Sequence, residues 1–229
     1  MKEWLLEVVV CLIAAALLMI IHELFKAIVY MIVRGHKQGG NIDKKGIWKI
    51  FRYIDPLGLV LAVTCYVPVS KPYMFRIRDR KTNIIIGLSG FFVLIIIFFS
   101  SIFMMHYMYG ASDSIVDIIN LKYGWFQKAK ILFFQYIQML CFDYFVVNLF
   151  PVSTFDMGLV VAGASPQNYL GIIKADSSIK LILMLVFILN LINMVYLRLV
   201  TYLHFNRKQV ERLENEQYIR EIRGVRLTT

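Results

Sequence analysis

The sequence predicts an all-α polytopic membrane protein: a bundle of about four spanning helices with re-entrant or hairpin segments between them. Three observations predict it. Of the 229 residues, 59% are hydrophobic and only 17% charged, against about 25% charged in an average soluble domain. The apolar residues fall into four nearly uncharged blocks, each reaching the roughly 20 residues that a helix needs to cross a hydrocarbon core of about 30 Å. The basic residues gather at the ends of these blocks, where membrane proteins carry their orienting charges. This composition excludes a disordered chain, a collagen-like chain and most soluble enzymes. The net charge of +10 therefore follows the pattern of a bilayer partner and not of a nucleic-acid partner. The length suits a single domain, read as a transmembrane region over residues 1–205 and a charged tail over residues 206–229.

The first block covers residues 4–33. It is too long for a signal-peptide core and carries His22, Glu23 and Lys26 in its second half. A shorter apolar run at 57–69 cannot span. It is bounded by Asp55-Pro56 and Pro68, then by Lys71-Pro72, which predicts a membrane-dipping hairpin or re-entrant loop, tolerated only where it is covered by protein or lines a wet cavity. The second block covers residues 83–109 and the third 131–150. Residues 157–173, with Gly158, Gly163, Gly171 and Pro166, read as a second irregular segment. The fourth block covers residues 179–203. In the tail, Glu211, Glu214, Glu216 and Glu221 interleave with arginines, as in a solvated amphipathic extension of the last span; a headgroup or partner contact is the alternative. Trp4, Trp48 and Trp125 lie near block ends and fit an interfacial belt. Cys11, Cys65 and Cys141 form no C-x-x-C pair and read as small buried hydrophobes.

The connection between the first two blocks holds eleven of the 25 basic residues. That places it in the cytoplasm, with the N-terminus and the 110–126 loop outside. Four crossings would put the basic tail outside as well, a conflict that a crossing or re-entrant segment near 157–173 resolves.

Ionisable groups inside a span are costly and mark function by default. His22 and Lys26 are four residues apart and share a helical face, and Glu23 precedes Lys26 by three. All three need a protein neighbour. The third block supplies Asp143 and Asn148, followed by Pro151 and Asp156. Pro151 interrupts helical hydrogen bonding and leaves backbone groups to be satisfied within the fold. Packing the first and third spans together satisfies both clusters, with Lys26 paired to Glu23, Asp156 or both. Asp143 either lines the same cavity or pairs with a base such as Lys130.

These residues resemble the site-2 protease family of intramembrane zinc metalloproteases. That family carries H-E-x-x-H in one span and N-x-x-P-x-x-x-L-D-G in a later one. The chain reads His22-Glu23-Leu24-Phe25-Lys26 for the first and Asn148 through Gly158 for the second, with Asp156 at the aspartate position. Asp55-Pro56-Leu57-Gly58 is similar to the family's D-P-x-G segment, and Lys71-Pro72 to its K-P stretch. Gly87-Leu88-Ser89-Gly90 is similar to its A-G-P element, with Phe91 in place of the proline. The elements occur in family order over residues 20–160.

The resemblance implies a site-2-protease-like bundle in which His22 and Asp156 occupy zinc-ligand positions and Glu23 the general-base position. Asn148, Pro151 and Asp143 would support the cleft. Lys26 replaces the second histidine ligand. A protonated amine has three donors and no lone pair, and His22 with Asp156 supply two ligands where a catalytic zinc ordinarily has three from protein. Two readings follow. In the first, the chain is a pseudoprotease without cofactor that holds or presents a transmembrane segment of a substrate or a partner membrane protein. In the second, it is an active zinc metalloprotease with an unconventional third ligand and Glu23 as base. Both place it in a bilayer, expected to be a bacterial cytoplasmic membrane.

Overall fold

A computed structural model describes residues 2–35, 44–72, 79–109 and 124–189. Within them the chain is helical: α1 (Lys2–Gly35), α2 (Lys44–Ile47), a 3-10 turn (Ile50–Tyr53), α3 (Pro56–Cys65), α4 (Arg80–Tyr109), α5 (Trp125–Asn148), α6 (Asp156–Ala164) and α7 (Pro166–Ile188). Three helices are long and apolar enough to cross a membrane, over Trp4–Val33, Arg80–Met108 and Trp125–Asn148. The helices outrun the apolar blocks at several ends, because Arg80 and Lys81 open α4 and Gln127, Lys128 and Lys130 open α5, and these are residues a helix accepts readily. Of the fourth expected span, α7 covers the beginning to Ile188; the remainder, and the 206–229 tail, lie outside the described residues.

The spanning helices alternate in direction. Cys11 of α1 shares a core cluster with Ile137 of α5, and His22 meets Tyr144, so α1 and α5 run parallel. On α4, Phe91 meets Phe145 at 5.3 Å between ring centroids, and the Cys141 thiol donates to the Leu94 carbonyl; α4 is antiparallel to both. The ends of α1 and α5 that carry Trp4 and Trp125 therefore share one side of the bundle, and Gly35 and Arg80 share the other. Between the three lies a core built from Cys11, Ala14, Ala15, Leu18, Leu94, Ile137, Leu140 and Tyr144. The alanines let α1 approach closely where no hydrophobic gain separates protein from lipid. Outward faces are apolar too: Ile13, Leu17 and Ile21 of α1 and Phe92, Phe99 and Phe103 of α4 are exposed, as lipid-facing positions are.

The run at 57–69 forms a hairpin. Asp55 caps α3 by accepting from the Leu57 amide at 3.2 Å, and Pro56 takes the first helical position, where its missing N–H costs nothing. The helix ends at Tyr66, in the left-handed region at φ 59°. A bulky residue pays about 1–2 kcal/mol there, and the Tyr66 ring is held by stacking on Tyr136 at 6.2 Å. The chain then returns alongside its own helix, so closely that a Cβ on Gly58 would lie 1.8 Å from the Val69 carbonyl oxygen. Ala62 buries against the α1–α5 core, accepting from the Cys11 thiol at 3.5 Å.

Within residues 157–173 the irregularity expected narrows to one extended residue, Ser165, between two helices. α6 continues in the direction of α5 after a break at 149–155: Gly90 of α4 abuts Asp156, Gly87 abuts Val160, and Gly163 abuts Arg80. The third apolar segment is thus a discontinuous helix. Its first half stops at Asn148 and not at Phe150, because the Leu149 and Phe150 amides bond back to Val146 and Val147 in the tighter pattern of a final turn. Pro151 follows that turn, exposed, and prevents the helix from resuming. Glycines and Pro166 suggest irregular chain in a linear reading, but Gly158 and Gly163 are contact points within α6, and Pro166 is the first residue of α7, capped by the Ser165 hydroxyl. α7 then reverses direction, so that Leu183 and Phe187 pack on Val147 and Val67. Its Asp176 carboxylate accepts from the Ser153 amide at 3.0 Å and pins the break. Partial burial raises the Asp176 carboxyl, but the Lys180 and Ser153 hydrogen bonds outweigh it and hold the group below its ordinary range.

The Gly58–Val69 contact sets the hairpin, and its removal is a direct test. Gly58→Ala is expected to lower stability by about 1–3 kcal/mol through overpacking against backbone, read as thermal unfolding in detergent. Gly171→Ala, where a Cβ meets nothing within 4 Å, is expected to be neutral or stabilising by up to about 1 kcal/mol.

Candidate functional site

Four ionisable side chains meet where α1 faces the break in the third segment. His22, Glu23, Lys26 and Asp156 are each at most 1% exposed. Lys26 Nζ lies 2.9 Å from Glu23 Oε1 and 2.7 Å from Asp156 Oδ1, so the ammonium pairs with both carboxylates. His22 Nε2 lies 2.8 Å from Asp156 Oδ2, and its Nδ1 lies 3.2 Å from Glu23 Oε1 and 3.1 Å from the Tyr144 hydroxyl. The helical spacing of 22, 23 and 26 delivers three of these groups to one side of α1. The fourth comes from the start of α6, where the helix dipole favours a carboxylate.

Asn148 joins the two halves of the discontinuous helix. Its amide nitrogen donates to the Tyr144 carbonyl at 2.9 Å, and its carbonyl oxygen accepts from the Asp156 amide at 3.3 Å. One side chain thereby satisfies a carbonyl left by the end of α5 and an amide left by the start of α6. A glycine on α4 completes the fit: a Cβ on Gly90 would lie 2.1 Å from Asp156 Oδ2. Only a residue without a side chain lets α4 pass beside the carboxylate.

Two members of the network escape a reading of the sequence. Ser70, on the returning strand of the hairpin, donates to Glu23 Oε1 at 2.8 Å. Tyr144 donates to the Ser70 oxygen and tilts its ring against His22, with centroids 4.7 Å apart. Tyr144 precedes Asn148 by one helical turn, a spacing that could have revealed it. Ser70 carries no such signal, because only the hairpin brings it back to α1.

Ser70 donates to Glu23 and Tyr144 donates to Ser70, so a chain of hydroxyls runs from Tyr144 to the Glu23 carboxylate, with His22 Nδ1 beside the Tyr144 oxygen and Nε2 facing Asp156. Among the described residues, buried Glu23 Oε2 and Asp156 Oδ1 have no hydrogen-bond partner, the latter meeting Lys26 as an ion pair.

Asp143 stands apart. It is fully buried, and among the described residues neither carboxylate oxygen has a hydrogen-bond partner. The pairing with Lys130 is corrected: thirteen residues along one straight helix separate them by about 20 Å, and Lys130 instead sits 4.4 Å over the Phe126 ring. Asp143 shares a face of α5 with Val146 and Val147, which pack toward Leu183 and Phe187.

The donor set does not suit zinc. The amine at the third ligand position contacts both carboxylates, and protonated it offers a metal no electron pair. His22 Nε2 is directed at Asp156 and not at a shared open position. Among the described residues, no three His, Cys, Asp or Glu side chains converge in a metal-holding arrangement.

No protein-family model matches the chain, nor does any curated protein or any solved structure. What the fold defines by itself, among the described residues, is a helical bundle with three helices long and apolar enough to cross a membrane and a buried cluster of four ionisable side chains.

Two stability predictions follow from the charges. Lys26→Met strands two buried carboxylates and is expected to cost about 3–5 kcal/mol, measured by thermal unfolding in detergent, with part recovered in Lys26→Met/Asp156→Asn. Asp143→Leu removes an unpaired buried carboxyl and is expected to raise stability by about 1–3 kcal/mol; a lower unfolding temperature would show that Asp143 has a partner under native conditions.

Proposed function

We propose that this chain is a site-2-protease-like membrane protein that has lost its metal and retains the fold as a pseudoprotease, holding or presenting a transmembrane segment of a partner. The observation that carries the reading is the double ion pair of Lys26 with Glu23 and Asp156. In the family the metal's positive charge balances these two carboxylates. Here an ammonium within 2.9 Å of each does so, and a buried pair of this kind is costly to disrupt once formed. Further support comes from the assembly of the family-like elements around one point. The H-E-x-x-K turn, the Asn148–Asp156 element, Gly90 and the residue before Lys71-Pro72 all touch the same cluster.

The proposed setting is a bacterial cytoplasmic membrane, with the basic 34–81 connection facing the cytoplasm. Four crossings are proposed, the fourth beginning within α7. The occupant is an apolar helix of another membrane protein, since a cleft built to receive one can retain that affinity without chemistry.

Metal analysis of the purified full chain tests the reading. The wild type is expected to carry no stoichiometric zinc, and Lys26→His, which supplies a neutral nitrogen at the third position, is expected to acquire it. Stoichiometric zinc in the wild type overturns the proposal. So does cleavage of a tagged transmembrane substrate that disappears in Glu23→Gln, which would establish an active protease instead.

A further inference from the structure

The short turn between α2 and α3 shows a combination that neither the core nor the buried cluster uses. Phe51 is 86% exposed, Trp48 59% and Ile50 41%, and the two residues interleaved with them, Lys49 and Arg52, are exposed as well. The turn is nonetheless fixed in place. Tyr53 is fully buried, donates from its hydroxyl to the Ile47 carbonyl at 2.6 Å, and accepts from the Lys71 amide at 3.2 Å. A turn held so firmly while presenting two aromatic rings and an isoleucine outward needs a partner for that surface.

Its depth identifies the partner. Lys71 follows Ser70, which touches Glu23, so the turn lies within about one extended residue, or ~3.3 Å, of the level of that contact, plus one hydrogen bond. On α1, the nineteen residues from Trp4 to Glu23 rise about 29 Å, one hydrocarbon thickness of about 30 Å. Trp4 and Trp125, both exposed at the other side of the bundle, then mark one interface, and the Trp48 turn falls at the opposite one. Aromatic rings with interleaved bases are the composition that seats at such a boundary. The surrounding charge is one-sided: residues 34–81 hold eleven basic and three acidic side chains, or +8 of the chain's net +10.

We propose that the 48–52 turn is a fixed interfacial anchor, with Trp48, Ile50 and Phe51 in the headgroup–acyl boundary and Lys49 and Arg52 selecting anionic phospholipid. Because Tyr53 ties the turn to the hairpin, and the hairpin to Glu23, the anchor also holds the buried cluster close to the level of that membrane surface. This holds whether or not the cluster descends from a protease.

The chain has three tryptophans, so a Trp4→Phe/Trp125→Phe background of the full chain reports Trp48 alone. It is reconstituted in phosphatidylcholine vesicles containing a minor share of brominated lipid, either phosphatidylglycerol or phosphatidylcholine. Brominated phosphatidylglycerol is expected to quench Trp48 more strongly, reflecting local enrichment of up to about fivefold per base. The additional changes Lys49→Gln/Arg52→Gln are expected to make the two lipids equal. Phe51→Ser is expected to shift Trp48 emission to the red, as the turn lifts from the boundary. No quenching by either lipid means that protein or water covers the turn and overturns the proposal. Equal quenching in the starting background, or a preference that survives loss of both bases, overturns the lipid selection.

Discussion

One ammonium decides the arrangement of the bundle interior. Lys26 lies between Glu23, on its own helix, and Asp156, on the far side of the break in the third apolar segment. In a low-dielectric interior neither carboxylate is tolerable unpaired, and neither is the amine. The pairing therefore fixes the rotation of α1, which must turn residues 22, 23 and 26 inward, and the position of α6, whose first residue must reach them. His22 adds polar contacts to both carboxylates. Pairing of this kind keeps buried charges from standing alone.

The discontinuity of the third segment is the other half of the same constraint. A continuous helix through residues 149–155 would carry Asp156 along its own cylinder instead of delivering its amide and carboxylate together to the neighbouring helices. The break, stopped by Pro151 and bridged by Asn148, turns the start of a new helix toward α1, with Asp156 at its first position. Gly90 then removes the side chain that would keep α4 away. The hairpin closes the remaining side, placing Ser70 on Glu23 and Tyr144 between Ser70 and His22. Interrupted helices recur in membrane proteins where backbone groups or side chains must reach a buried polar site, and the arrangement here is of that kind.

A pseudoprotease reading and an interfacial anchor connect through the hairpin. The segment that carries Ser70 to the cluster is the same one that accepts the Trp48 turn through Lys71 and Tyr53. Whatever the cluster holds, that segment keeps it close to the level of the turn's aromatic rings and bases.

Much of this was legible in the residues alone. Apolar blocks of spanning length, bases at their ends and the 22, 23, 26 spacing follow from hydropathy and the 3.6-residue turn, which are local properties of the chain. Asn148, Pro151 and Asp156 are visible as polar or helix-breaking residues that need accommodation. Other features depended on residues far apart in sequence. Ser70 meets Glu23 across 47 positions and Tyr144 meets His22 across 122, and no local pattern encodes such contacts. Gly158 and Gly163, which suggested irregular chain, are contact points within a helix, because the same lack of a side chain permits both a turn and a close approach. The sequence by itself determined which segments are long and apolar enough to lie in a bilayer and which charges within them must be compensated. The tertiary structure alone decided which groups compensate them, because pairing of buried charges depends on distances of about 3 Å that only the packing of whole helices sets.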